Sequence, residues 1–168
     1  MNDTVVIKNA LVVNGGGTST FKGDLAFQDD TIVEVGRSLP TTGAKVVDAK
    51  NLALAPGFID PHGHSDISIL AAPEAMGKLS QGVTTEVAGN CGLSVFPITN
   101  LNREHLDDIY KQYNEKIKWT GVEDYAAEVN RRKPAMNIAS LCGHNTLRAA
   151  FAGYGDAKIT GRIISDMR

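Results

Sequence analysis

The sequence has no excess of either charge, no long apolar run and almost no cysteine, and each shortage removes a class of function. Lys and Arg number 17 against 19 Asp and Glu, a formal net charge of -2 over 168 residues. So even a balance gives no electrostatic reason to bind nucleic acid or an anionic membrane. No apolar run approaches the roughly 20 residues that span a bilayer. Met1-Asn2-Asp3-Thr4 lacks the basic start and apolar core of a secretory signal, and a cytoplasmic location is expected. Cys91 and Cys142, the two cysteines, make neither a close-spaced metal knuckle nor a disulfide framework. In a reducing compartment they are expected as free thiols or as one metal-bound thiolate. No Gly-x-Gly-x-x-Gly follows a strand, and no repeat, low-complexity tract or linker interrupts the chain. What is present, 42% hydrophobic and 21% charged residues, is an ordinary globular composition with enough chain for one core.

The opening segment alternates short β-rich runs with turn residues. Val5 to Val13 ends at Asn14-Gly15-Gly16-Gly17, and Lys45 to Ala49 forms a further short run. Asp24 to Gln28 and Thr31 to Val35 flank Asp29-Asp30, which predicts a hairpin. Residues 1–53 therefore read as the β-rich part of a small β-sandwich domain, one layer of it, with further strands to come. Residues 54–168 change rhythm. Short apolar strands are expected at Leu54 to Asp60, Val83 to Ala88 and Met136 to Leu141. Helices are expected over Pro73 to Gln81, closed by Gly82, and over Val122 to Arg132, stopped before Pro134. Leu106, Ile109, Tyr113 and Ile117 recur at helical spacing and predict one helix from Asn102 to Lys118. Ile159 to Arg168 also reads as helical.

Strand and helix in alternation predict a parallel α/β sheet. Each strand hands over to Gly, His, Cys or Asn at its C-terminal end, which is where a (β/α)₈ barrel keeps its chemistry. A full barrel takes about 250 residues, so residues 54–168 would supply roughly the first three of eight strands. The fold class expected is a β-sandwich segment plus α/β, a partial TIM-like barrel. An open doubly wound sheet is the alternative.

Three groups of residues at these strand ends carry possible chemistry. His62 and His64 stand two apart, so both imidazoles can point to one side and converge on one metal. Asp60 and Asp66 are near enough to support them by hydrogen bonds or as further oxygen ligands. The competing reading is a polar loop with two solvated histidines. Cys91 follows Gly89-Asn90, and its thiolate would make a good zinc ligand; alone, it would more simply be a small buried residue. In Cys142-Gly143-His144-Asn145-Thr146-Leu147-Arg148, His144 and Arg148 can approach a substrate, the guanidinium clasping a carboxylate. Alternatively, Asn145 or Thr146 caps a helix and His144 is a hydrogen-bonded strand terminus. His105 reads as surface and Trp119 as packing.

Ala55-Pro56-Gly57-Phe58-Ile59-Asp60-Pro61-His62-Gly63-His64 resembles the start of the barrel in the amidohydrolase superfamily. Gly82-Val83-Thr84-Thr85-Glu86-Val87-Ala88-Gly89-Asn90-Cys91-Gly92 narrows the resemblance to the N-acyl-D-amino-acid deacylases (D-aminoacylases). Asn137 to Arg148 resembles that group's third-strand motif, with Asn145 where glycine is usual, and Pro61-His62-Gly63-His64 departs from the commoner Val/Ser-His-Thr-His. The resemblance covers essentially the whole chain. It implies a β-sandwich beside a distorted (β/α)₈ barrel and a Zn2+ cofactor. Cys91 would be the ligand of the tightly held zinc, and His62 with His64 would serve a second position. The implied activity is hydrolysis of N-acyl-D-amino acids to a D-amino acid and a carboxylate. Asp66, His144 and Arg148 are the substrate-binding candidates read from the residues themselves.

Further zinc-binding histidines and the catalytic aspartate would come from later strands. No catalytic residue is therefore expected in this chain, which alone should be inactive. Its expected partners are the small-molecule substrate and the missing C-terminal part of the same protein. Two readings compete. A dihydroorotase- or hydantoinase-like enzyme would hold two metals bridged by a carboxylated lysine and lack a cysteine ligand. A non-catalytic metal-binding or scaffolding remnant would be complete as it stands.

Overall fold

In β1 (Thr4–Val12) the alternate residues Val6, Ala10 and Val12 are buried, the period-2 signature of a strand with one face on a core. The computed structural model describes residues 4–168 and divides into two compact units, one ending at Pro56 and the other running Gly57–Arg168.

In the first unit β1 pairs antiparallel with β2 (Phe21–Gln28), which pairs antiparallel with β3 (Thr31–Gly36). On its other edge β1 runs parallel to β4 (Lys45–Asp48) and then to β5 (Ala53–Leu54), giving the order β3-β2-β1-β4. The expected hairpin is present: Gln28 pairs with Thr31, and Asp29 takes the positive φ that such a tight turn needs, 51°. The register of β1 against β2 slips between Ile7 and Ala10. Asn9 sits in that bulge at φ 57°, and its N–H donates to the buried Asp24 carboxylate at 3.0 Å. Asp24 also accepts from the Leu39 N–H at 2.9 Å and pairs with Lys8 at 2.7 Å. Val6, Ala26 and Leu39 form the small core with Ala44. Among the described residues this unit holds one sheet, a single layer that leaves Ile32, Val33, Val35, Val46 and Val47 exposed.

The second unit begins with β6 (Phe58–Asp60), α1 (Ser68–Ala71), α2 (Met76–Leu79) and β7 (Val83–Ala88). It continues through α3 (Arg103–Tyr110), α4 (Val122–Arg132), β8 (Asn137–Ser140), α5 (His144–Ala152) and α6 (Gly161–Asp166). The strands lie parallel in sequence order, β6-β7-β8, so their C-terminal ends share one rim. The main core gathers residues from nearly every connection, including Ile67, Leu70, Val95, Leu106, Trp119 and Tyr125. Trp119 is a packing residue, its Nε1–H donating to the Val95 carbonyl at 2.8 Å. α4 is specified end to end. Glu123 and Asp124 occupy its first turn and Arg131 and Arg132 its last, each sign matching the helix dipole. Its inner face is Tyr125 and Val129, four apart.

Two helices are shorter than their sequence patterns imply. The helix expected from Asn102 to Lys118 ends at Tyr110, followed by a 3-10 turn at Lys111–Tyr113. Asn114, at φ 54°, breaks the continuation. Ile117 is buried but lies in a segment that is neither helix nor strand, whereas Ile109, inside the helix, is exposed, so the helical spacing did not mark one continuous buried face. The helix expected from Pro73 to Gln81 is only α2, because Ala75 enters it with left-handed backbone, φ 46°. No described helix is long and apolar enough to cross a membrane.

Candidate metal centre

β6 ends at Asp60, and the residues beyond it form an arch rather than a continued strand. The N–H of His62 donates to Asp60 Oδ1 at 3.1 Å, and that of Gly63 to the Val87 carbonyl at 2.9 Å. The N–H and hydroxyl of Ser65 donate to the two oxygens of Glu86 at 2.9 and 2.8 Å. On this arch the rings of His62 and His64 stand 5.6 Å apart, edge to face, exposed on the rim.

Cys91 lies beyond the end of β7 in a turn that only a special backbone can make. Gly89, Cys91 and Gly92 all have positive φ, 76°, 55° and 77°. A Cβ at Gly89 would come within 2.1 Å of the Leu141 carbonyl oxygen, so glycine is required there by both conformation and space. Asn90 ties the turn to the arch, donating to the carbonyls of Val87 at 2.7 Å and Gly63 at 3.4 Å. The result brings His62 Nε2 to 3.2 Å from Cys91 Sγ. One ligand atom from each of His62, His64 and Cys91 lies within 4.8 Å of the others. Tetrahedral zinc places nitrogen and sulfur ligands about 3.5 Å apart, so the His62–Cys91 separation is near that spacing, and the donor types of all three residues suit such an ion. Two imidazoles and a thiolate favour zinc over the hard, oxygen-seeking cations. Both cysteines are free thiols.

The three substrate-binding candidates fall in different places. Asp66 is buried rather than presented to solvent. Its Oδ2 accepts from the Gly89 N–H at 3.4 Å, while Oδ1 has no hydrogen-bond partner among the described residues. Burial pushes its carboxyl above the ordinary range, against the opposing pull of Gly89 and His64. It supports the Cys91 turn from beneath. His144 is the exposed first residue of α5, and the preceding Gly143 packs against Gly92, where a Cβ would meet the backbone at 2.5 Å. The start of α5 therefore abuts the turn carrying Cys91. Arg148 donates to the carbonyls of Gly153 at 3.0 Å and Gly155 at 3.3 Å, so its guanidinium is committed to the end of α5. Neither Asn145 nor Thr146 caps that helix, which starts from Gly143 without a side-chain cap. Thr146 is buried and instead exchanges hydrogen bonds with Ser94, at 2.9 and 3.0 Å.

Glu86 and Lys78 were missed from the sequence. Glu86 is fully buried, and Lys78 reaches it at 3.1 Å while also pairing with Asp60. Lys78 chiefly, with the His62 N–H, holds the Asp60 carboxyl below the usual range, and Asp60 in turn holds the lysine up. A glutamate amid the β-branched residues of β7 was the available signal, since a charge in a buried strand demands a partner.

Residues 45–166 match the amidohydrolase family. The chain is 39% identical over 161 residues to an N-acyl-D-aspartate deacylase of Alcaligenes xylosoxydans xylosoxydans, covering 96% of this chain and 31% of that one. The crystal structure of N-acyl-D-glutamate deacylase from Bordetella bronchiseptica, with zinc and a phosphonate mimic of the tetrahedral intermediate, superimposes with a TM-score of 0.82. It is 30% identical, and the match covers 99% of this chain and 34% of that one. A D-aminoacylase with a binuclear metal centre, one metal activating and the second attenuating, gives a TM-score of 0.80 at 31% identity, over 98% of this chain and 34% of its own. The chain thus spans about a third of the length of the relatives it matches.

Proposed function

The chain belongs to the amidohydrolase family, and on that premise we propose that it is the N-terminal portion of a zinc-dependent deacylase. The reaction is hydrolysis of the amide bond of N-acyl-D-amino acids to a D-amino acid and a carboxylate, the chemistry named for the similar proteins. The observation that carries this reading is the convergence of His62, His64 and Cys91 within 4.8 Å. When bound, the metal supplies a Lewis acid for the amide carbonyl and lowers the pKa of a water. Cys91 would present a thiolate to the tightly held ion, and His62 and His64 neutral ring nitrogens to a second, adjacent position. Asp66 and Asn90 hold the thiol's turn in place.

Proton transfer from water to the leaving amine calls for a carboxylate. We assign that carboxylate, and further ligands, to the part of the protein beyond this chain. In the whole protein β6, β7 and β8 would be the first three strands of a (β/α)₈ barrel, and β1 to β5 one layer of a β-sandwich. Apolar side chains left open on β6 (Phe58 63% and Ile59 65% exposed) support a sheet meant to be covered. A cytoplasmic location suits two free thiols.

The intact protein should release D-amino acids from N-acyl substrates, lose that activity to chelators and spare the L-enantiomers. Cys91→Ala should abolish stoichiometric zinc by elemental analysis. Full turnover by zinc-free protein, or equal hydrolysis of both enantiomers, would refute the assignment. The 168-residue chain alone should show no measurable turnover.

A further inference from the structure

The arch that presents the two histidines stands on two carboxylates, and one lysine joins them. Asp60 accepts the N–H of His62 at the leading foot. Glu86 accepts the N–H and hydroxyl of Ser65 at the trailing foot. The Glu86 carboxylate also lies directly under the peak, since a Cβ on Gly63 would fall 2.0 Å from its Oε1. Lys78, from α2, pairs with Asp60 and reaches Glu86 at 3.1 Å. Glu86 is fully buried, so an ionised carboxylate there needs that ammonium: an isolated buried charge is costly, while a compensated and hydrogen-bonded one is tolerated.

We propose that Lys78 and Glu86 are positioning residues for the metal centre, a charge clamp that fixes the spacing of His62 and His64 and so sets metal affinity at the position those two histidines serve. The inference rests on the metal-centre reading above. Neither residue belongs to the donor group of His62, His64 and Cys91. They act through the backbone of the arch, with Asp60–Lys78–Glu86 bracing its feet and Gly63 allowing the carboxylate to fit beneath. Supports of this kind around metal ligands typically alter affinity by about 10- to 100-fold when removed.

The test is a Zn2+ competition titration and a Co2+ titration of the intact protein, following the cobalt–thiolate absorption band, together with the melting temperature of the metal-free form. Lys78→Met should weaken Zn2+ binding by about 10- to 100-fold, and Lys78→Arg, which keeps the charge, should recover most of it. Because Lys78→Met strands a buried carboxylate, the double variant Lys78→Met/Glu86→Gln removes both charges together and keeps the fold testable. It should melt near the wild type without metal yet still bind Zn2+ at least tenfold more weakly, with the cobalt–thiolate band retained at saturation. Unchanged Zn2+ affinity in a folded double variant would overturn the clamp while leaving the metal centre standing. Should the wild type and Cys91→Ala bind Zn2+ alike, the metal-centre reading itself would fall, and the clamp with it.

Discussion

At the scale of single residues, backbone conformation decides more than side-chain chemistry does. Gly89 meets two demands at once, a φ of 76° and a carbonyl oxygen 2.1 Å from any added Cβ. Gly89→Ala should therefore cost more than the roughly 1–2 kcal/mol of a left-handed alanine. A lower melting temperature follows. Circular dichroism on heating measures it, and an unchanged melting point would mean that the turn is not held as described.

Asp24 gives a residue-scale prediction in pH. Burial pushes its carboxyl up, but Lys8 and the N–H groups of Leu39 and Asn9 outweigh burial and hold it below the ordinary 3.8. A group depressed by folding contributes stability above its ordinary pKa and loses it as pH falls through the depressed value. The wild type should therefore lose stability as pH drops below about 4. Asp24→Asn should be less stable at pH 7 and flatter across that acid window. Parallel pH profiles of the two proteins would count against the assignment.

At the scale of elements, Thr146 is one of several links between the segment after Cys91 and the helix α5, beside the Gly143 N–H to Ser94 hydroxyl and Thr146 N–H to Gly92 carbonyl bonds. Thr146 Oγ1 accepts the Ser94 N–H and donates to the Ser94 carbonyl, all of it buried. Thr146→Val keeps the shape and strands two backbone groups, at about 1–3 kcal/mol for each buried group left unpaired. Urea unfolding should show the loss, whereas Thr146→Ser should keep most of the stability. A valine variant as stable as the wild type would remove Thr146 from this role.

Strands were the most legible elements because their alternation and punctuation are local: β7 coincides with the Val83 to Ala88 run, and β3 begins just after Asp29-Asp30. Ile117 misled because apolar spacing does not distinguish a continuous helix from an irregular segment folded over the same core. His62, His64 and Cys91 could be singled out as candidates because glycines and histidines at strand ends stand out, and the fold brings their ligand atoms within 4.8 Å of one another. The buried setting of Asp66 depends on a contact with Gly89, 23 residues away. Lys78 with Glu86 and Arg148 with Gly153 and Gly155 are near in sequence but pair across the end of an element, which no helical or strand period encodes.

At the scale of the molecule, metal and stability should be coupled. A ligand that binds only the folded form stabilises it by mass action. Chelation should lower the melting temperature of wild-type protein and leave Cys91→Ala unaffected. Scanning calorimetry with and without chelator measures both. An equal chelator effect in the two proteins would place the stabilising metal elsewhere.

His62 and Cys91, 29 residues apart along the chain, meet, and the strands that precede them, β6 and β7, are sequential neighbours in the sheet. Closing so short a segment costs little chain entropy. At about 5–20 residues per second of synthesis, the segment emerges within seconds. Metal capture can then be an event of the protein's birth, the ion serving as a nucleus around which later chain is laid. Refolding begun in the presence of zinc should accordingly give more active protein than refolding completed before zinc is added. Equal yields would mean that the donors become organised only at the end.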